Sequence, residues 1–212
     1  MFAYILNNRV KYVALVAQHI TLTLSALFLC FVIGVAVGTL CFKNRFFNGI
    51  ATSAASSLRV VPSIATMLIL MPIMGTGFPP ALTALVILGL PPVIINTARA
   101  LESVDPCVIE AAYACAMSEW RVFRKIRMPL AAPLVITGLR ISGLSIAAGA
   151  TLAAYIGAGG LGELILSGLS QYRADILSAG AVTTMAISLS IEGVFQLLYA
   201  YSTGYKNRAW RR

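Results

Sequence analysis

Few residues in this chain have the types and spacing that catalysis or metal binding requires. His19 is the only histidine, and no Cys, Asp or Glu stands near it in the sequence to complete a metal site or an acid–base pair. No Ser/His/Asp set, no paired catalytic carboxylates and no Walker Gly-x-x-x-x-Gly-Lys occurs. The four cysteines form no C-x-x-C and are interpreted as small apolar filler. We therefore expect no catalytic residue, cofactor or metal, and any ATP that drives this protein must be hydrolysed by another chain.

A glycine-rich run formally matches the dinucleotide-binding fingerprint. It reads Gly157-x-Gly159-x-x-Gly162, with Gly160 inside it. That fingerprint works between a strand and a helix of a βαβ unit, whereas this run follows an apolar helical stretch. We interpret these glycines as a turn or close-packing site at the end of a membrane span, and as candidates for an outer gate.

Two charged residues, Arg140 and Glu192, interrupt long apolar runs. A lone ion inside a bilayer is costly, so such residues normally face protein or water. The two could pair with each other. Alternatively, Arg140 lies about ten residues after Pro129, where its side chain could reach the cytoplasmic interface, and this second interpretation is favoured for Arg140. Glu192 is left open.

The composition requires a membrane. The chain has 212 residues, of which 59% are hydrophobic and only 11% charged, whereas a soluble domain has about 25% charged residues. A soluble globule of this composition would expose most of its apolar side chains to water. The net charge of +9 is not concentrated in a compact basic domain, so nucleic acid is excluded as a partner.

Charged residues divide the sequence into apolar runs, each of which needs about 20 residues to cross a bilayer as a helix. The run that continues to Ala98 is too long for one crossing, and a turn at 75–80 splits it. We therefore expect an all-α membrane protein with one transmembrane domain, 1–212, and five transmembrane helices, over residues 12–42, 56–73, 80–98, 131–156 and 176–205.

Proline and glycine mark special positions within these spans. Pro62, Pro91 and Pro92 are expected to interrupt or kink the second and third spans, which suggests a pathway along them. Gly34 and Gly38 form a G-x-x-x-G pattern, interpreted as close packing within the chain in preference to a dimer contact.

Basic residues give the orientation. The segments predicted on one side carry three Lys and Arg residues, those on the other carry twelve, and Arg140 is left over. By the positive-inside rule the richer side is cytoplasmic. The N-terminus is therefore expected outside and the C-terminus inside, in a multi-pass protein.

The loop at 99–127 is the only sizeable polar segment and holds four of the seven acidic residues. Asp105 followed by Pro106 predicts a helix start, and Ser118 predicts a second one. The second helix is expected to end before Pro129. Such a cytoplasmic helical hairpin is either a simple connection or a docking element for another protein, and its residues alone favour neither interpretation.

This loop resembles the EAA loop of ABC importer permeases. The resemblance rests on Glu110-Ala111-Ala112, the small residue Ala116 where the family has Gly, and Ile126-x-Met128-Pro129. Beyond the loop, Gln18-His19, Val61-Pro62-Ser63, Val104-Asp105-Pro106 and the run from Ala150 to Gly162 are similar to permeases for the osmoprotectants glycine betaine, carnitine and choline. This covers roughly residues 15–200.

The resemblance implies a MetI-like type I importer fold in a bacterial cytoplasmic (inner) membrane. It implies a cytoplasmic ABC ATPase dimer, a second permease copy or paralogue and an extracytoplasmic solute-binding protein as partners. Glu110, Ala111, Ala112, Ala116, Ile126 and Pro129 would couple the permease to the ATPase, and Pro62 with the glycines at 157–162 would belong to the pathway or gate. Alternatives are a permease for another small solute such as methionine, and a self-sufficient secondary carrier.

Overall fold

The computed structural model describes residues 1–58 and 61–209, and the secondary structure in this part of the chain is entirely helical. The all-α prediction is therefore confirmed. The helices are α1 (Phe2–Asn7), α2 (Arg9–Lys43), α3 (Arg45–Leu58), α4 (Ser63–Met74), α5 (Phe78–Glu102), α6 (Pro106–Ala114), α7 (Glu119–Val122), α8 (Met128–Gly149), α9 (Gly162–Ser170) and α10 (Ala174–Ala209). A π-helical turn, Phe123–Arg127, joins α7 to α8, and a 3₁₀ turn, Leu152–Ile156, follows α8.

Four continuous helical stretches within the described residues are long and apolar enough to cross a bilayer, namely Arg9–Lys43, Phe78–Glu102, Glu119–Gly149 and Ala174–Gly204. They correspond to the predicted first, third, fourth and fifth spans. The predicted fourth span is wrong at its C-terminal end, because α8 stops at Gly149 and the chain turns through the 3₁₀ segment. The glycine at the helix end and the 3₁₀ turn after it redirect the backbone before residue 156.

The predicted second span is not one straight helix. The helical segments Asn48–Leu58 and Ser63–Met74 are bent by 97° at the intervening break, so a fifth crossing exists only if the two count together. With 12 residues, α4 alone is about 18 Å long, well short of a bilayer core of about 30 Å.

Three of the twelve basic residues predicted on the cytoplasmic side, Arg59, Arg211 and Arg212, lie outside the described residues.

The core forms where α2, α5 and α8 pack against one another. A Cβ added at Gly34 would lie 2.7 Å from the Val93 side chain, and one added at Gly38 would lie 2.9 Å from the Ile94 carbonyl. Only glycine therefore permits this approach of α2 to α5. The G-x-x-x-G pattern thus packs within the chain, as predicted.

The prolines of α5 do not interrupt it. Pro91 and Pro92 are buried inside a helix that runs unbroken from Phe78 to Glu102, so of the expected interruption or kink, the interruption is wrong. The Asn96 side-chain amide donates to the Pro92 carbonyl at 2.7 Å, and the prolines are enclosed by neighbouring helices. Their burial among neighbouring helices keeps this part of the backbone away from lipid, where an unsatisfied carbonyl would be costly.

Candidate functional site

The polar loop begins with the predicted helix cap. Asp105 Oδ1 accepts a hydrogen bond from the Cys107 backbone N–H at 2.9 Å, and Pro106 occupies the first helical position of α6. The cap satisfies one of the free N–H groups at the helix start, and Pro106 has no N–H that would need a partner. Short-range sequence signals therefore determine where α6 starts.

Helix α6 ends in a turn that places an alanine in the left-handed region. Ala116 has φ 55°. Its N–H donates to the Tyr113 carbonyl at 2.9 Å, and the Met117 N–H donates to the Ala112 carbonyl at 3.2 Å. This pair of bonds is the Schellman arrangement, in which glycine normally takes the left-handed position. The substitution of Ala for the family's Gly at this point therefore carries a conformational cost.

We predict that Ala116→Gly stabilises this turn by about 1 kcal/mol, because glycine adopts a left-handed conformation without the Cβ penalty. Hydrogen exchange at the Met117 amide, whose bond closes the turn, would slow about fivefold. Ala114→Gly is the matched control: Ala114 is the last helical residue of α6, so the same replacement there should cost about 0.5 kcal/mol and speed exchange. Faster exchange in Ala116→Gly would contradict the assignment.

The second helix of the loop does not end before Pro129, contrary to the sequence prediction. Ser118 stands at the N-cap position of α7, although its side chain caps nothing, and the helix then continues to Gly149. The π-helical turn Phe123–Arg127 lies directly before Pro129. A widened turn gives the proline ring room against the preceding carbonyls, and so the helix can pass through.

The EAA residues divide into an exposed and a buried set. The side chains of Glu110, Ala111 and Ala116 are exposed, Ala112 is buried in the core, and Ile126 is half-buried. Among the described residues Glu110 has no ion-pair partner. The loop therefore presents the Glu110 carboxylate beside small residues, while Ala112 holds α6 against the bundle.

A cation attaches the loop to the ends of α2 and α5. The Arg127 guanidinium donates to the Leu101 carbonyl at 2.8 Å and lies 4.6 Å from the centre of the Phe42 ring. Nothing in the local sequence around Arg127 indicates these two partners, which lie 26 and 85 positions away. An open groove of about 280 Å³ remains beside it. Its lining is Phe42, Lys43, Tyr113, Glu119, Trp120, Val122, Phe123 and Arg127.

The glycine-rich run lies at the opposite end of the bundle, against the first span. Gly157, Gly159 and Gly160 have φ values of 75°, 74° and 80°. The Gly160 N–H donates to Gln18 Oε1 at 3.0 Å, and a Cβ on Gly159 would overlap the Gln18 amide. The structure thus brings together Gln18-His19 and the glycine run, two segments that are separated by about 140 residues in the sequence.

His19 is buried beneath this loop. A Cβ added at Gly160 would lie 3.5 Å from His19 Nδ1. Neither ring nitrogen makes a hydrogen bond of normal geometry with a described residue, although the Ala147 backbone is close enough to interact with the ring. Within the described residues there is also no cluster of three or more His, Cys, Asp or Glu that could hold a metal.

We predict that Gly162→Ala destabilises the protein more than Gly157→Ala. A Cβ at Gly162 would overlap the backbone carbonyl of Thr151, which cannot rotate away, and the cost should be about 3 kcal/mol. At Gly157 no described atom lies within 4 Å of an added Cβ, so only the backbone cost of about 1 kcal/mol applies. Thermal unfolding of the two purified variants measures the difference, and equal losses would contradict it.

Arg140 and Glu192 meet. The Arg140 Nε donates to Glu192 Oε2 at 2.7 Å, and Nη2 donates to Oε1 in a second bond. The interpretation of Arg140 as a side chain reaching the interface is therefore wrong, because a bidentate carboxylate holds its guanidinium within the membrane-spanning part. Their side chains are 38% and 24% exposed.

Pro62 takes the N-cap position of α4 and is exposed. It lies at the break between α3 and α4, on a different element from the glycine run. The candidate pathway residues are therefore not gathered in one cluster, because Pro62 lies at the N-terminal end of α4. The glycine run contacts the other end of that helix: the Gly77 N–H, just after α4, donates to the carbonyl of Ile156, next to Gly157, at 2.7 Å.

Comparison with known proteins gives a family and a fold. A family model described as "Binding-protein-dependent transport system inner membrane component" matches residues 30–201. The chain is similar to a carnitine transport permease protein of Listeria monocytogenes, with 34% identity over 82% of this chain and 80% of that protein. An osmoprotectant import permease protein of Salmonella typhimurium is 32% identical over 94% and 95% of the two chains. A solved structure of the inward-facing methionine ABC transporter MetNI has the same fold, with a TM-score of 0.80 at 21% identity over 90% of this chain and 95% of that one.

Proposed function

Because this chain belongs to the inner membrane components of binding-protein-dependent transport systems, and is therefore a transport permease subunit, we propose that it forms half of an ATP-driven import pathway. The observation that carries this proposal is the loop from Asp105 to Pro129. It presents the Glu110 carboxylate, which has no ion-pair partner among the described residues, on a capped helix at one end of the bundle. A simple connection between two spans would need neither feature.

The proposed motor is a dimer of cytoplasmic ABC ATPases, one contacting each permease. Glu110, Ala111 and Ala116 would form the contact, because they are exposed and small residues allow another backbone to come close. Ala112 would support this contact indirectly, because its buried side chain holds α6 against the core. Ile126 and Pro129 would transmit movement of the loop to the membrane-spanning helix α8, since they lie where α7 continues into it.

The proposed orientation has the N-terminus outside and the C-terminus inside a bacterial cytoplasmic membrane. The twelve-to-three distribution of basic residues supports it. Native cysteines offer a direct test, because Cys107 and Cys115 are exposed on the loop and Cys30 and Cys41 are buried. In cells that express the permease without its ATPase, a membrane-impermeant maleimide should label Cys107 and Cys115 in inside-out vesicles and not in intact cells, and the reverse pattern would overturn the orientation.

A second permease, either a copy or a paralogue, is proposed to cover the bent α3–α4 segment. Irregular backbone is tolerated at membrane depth only where protein or a water-filled cavity covers it. In the single chain α4 leaves Ile69 and Ile73 67% and 80% exposed. Pro62 at the bend and the glycines at 157–162 remain the candidates for the pathway and gate between the two permeases.

The proposed solutes are quaternary-ammonium osmoprotectants such as carnitine, glycine betaine and choline, delivered by an external solute-binding protein. The names of the carnitine and osmoprotectant permeases similar to this chain support this solute class. The likeness to the methionine transporter, at 21% identity, supports the fold and not the solute.

Reconstitution tests the whole proposal. Proteoliposomes that contain the permease with its ATPase and binding protein should accumulate radiolabelled carnitine, glycine betaine or choline only when ATP is supplied. Omitting the ATPase or the binding protein should abolish uptake. Uptake by the permease alone without ATP would instead support a self-sufficient secondary carrier and overturn the proposal.

A further inference from the structure

The Arg140–Glu192 ion pair lies deep in the membrane and is not fully enclosed by its own chain. Arg140 is more than two turns from either end of α8, and Glu192 lies near the middle of α10. At that depth water is absent from the lipid phase, so a charged side chain facing lipid is costly. Yet the two side chains keep 38% and 24% of their surface exposed. Water or another protein must therefore lie against this side of the seam between α8 and α10.

The polar residues of α10 continue this exposed edge along the helix. Ser188, Glu192, Gln196 and Tyr199 are spaced by four, four and three residues, and so they share one face. The neighbouring arc of the same helix carries Val182, Ala186, Leu189, Gly193 and Leu197. This arc is apolar, and Leu189 and Leu197 are 62% and 74% exposed. The helix thus has one face suited to water and one suited to lipid.

We propose that the Arg140–Glu192 pair and the polar edge of Ser188, Gln196 and Tyr199 line the water-filled path that solute follows. This inference rests on the proposed function, because it assumes that the chain forms a solute path. A neutral pair adds no net charge to the path. It presents a carboxylate to a quaternary ammonium group and a guanidinium to a carboxylate, the two charged groups of a zwitterionic solute.

The accessibility of introduced cysteines tests whether this polar edge of α10 faces water. Ser188→Cys and Ala186→Cys are both small changes, two residues apart in depth and on different faces of α10. The whole importer, reconstituted without nucleotide, is treated with the membrane-impermeant reagent (2-sulfonatoethyl) methanethiosulfonate. Mass spectrometry then resolves the reaction at each site separately. Because a thiol reacts as thiolate in water, we expect Cys at 188 to react at least tenfold faster than Cys at 186.

Equal rates at the two positions, whether fast or slow, would overturn the inference, since the proposal requires one wet and one dry face. If Ser188→Cys does not fold, Gln196→Cys paired with Leu197→Cys makes the same comparison. ATP-driven uptake is measured in the same proteoliposomes. If the two cysteines are labelled equally while uptake remains ATP-driven, only this inference is overturned. If uptake does not depend on ATP, the proposed function is overturned.

Discussion

Glu110→Lys should abolish association with the ATPase while leaving the permease folded and inserted. Glu110 is exposed and has no ion-pair partner among the described residues, so its replacement removes no contact within the chain. Reversing a charge inside a protein interface costs about 2–5 kcal/mol, which corresponds to a loss of affinity of roughly 30-fold or more. Co-purification of the ATPase with the tagged permease from detergent-solubilised membranes measures the effect.

Glu119→Lys is the control, because it makes the same charge change on the same loop but on α7 instead of α6. It should retain most ATPase binding, and the thermal unfolding of both variants without ATPase should stay close to wild type. If Glu110→Lys still co-purifies with a normal amount of ATPase, the carboxylate is not part of the contact and the coupling assignment fails.

Glu192→Gln should produce the second large effect, because it leaves the Arg140 guanidinium in the membrane without its counter-charge. Removing one partner of a fully buried ion pair costs about 3 kcal/mol or more, and the partial exposure of this pair to the proposed aqueous path should reduce that cost to about 1–2 kcal/mol, whereas removing both partners is often nearly neutral. The melting temperature of the purified permease should therefore fall in Glu192→Gln and recover in the double variant Arg140→Gln/Glu192→Gln. Uptake of a cationic solute such as choline should fall along with it, since an unpaired positive charge opposes the cation.

The ion pair between Arg173 and Asp175 provides the comparison. Its atoms approach to 2.7 Å, and the bond to Asp175 raises the pKa of Arg173, but the pair lies exposed at the start of α10. Arg173→Gln should leave the melting temperature unchanged within error, because exposed pairs contribute little. A double variant at 140 and 192 that melts as low as the single one would show that the Arg140–Glu192 pair does more than neutralise charge.

Local patterns predicted the parts of this molecule that local chemistry determines. The Asp105 cap, the all-α architecture and the close approach at Gly34 follow from nearest-neighbour rules and are confirmed. The resemblance of the loop to importer permeases, together with the motifs outside it, also identified the osmoprotectant permease family and the MetI-like fold, which the comparisons confirm. At Ala116, where the family has Gly, the structure has a positive φ of 55°.

Features that depend on distant partners were missed or left open. Whether Arg140 reaches Glu192 depends on how α8 and α10 pack, which no window of sequence contains. The same holds for Arg127 against Leu101 and Gln18 against Gly160. At Pro129 the local rule failed for a different reason: a proline normally ends the preceding helix, but one π-helical turn accommodates it and the helix continues.

The unbroken helix from Glu119 to Gly149 has a mechanical consequence. Its 31 residues extend over about 46 Å at 1.5 Å per residue. A tilt of about 10° at the loop would therefore displace the far end by roughly 8 Å, with no joint between to absorb the motion. Flexibility must then reside at the two ends, in the Ala116 turn and in the 3₁₀ segment after Gly149. If an ATPase pushes on the loop as proposed, a small rotation at the loop end would therefore displace the far end of this helix by several ångströms.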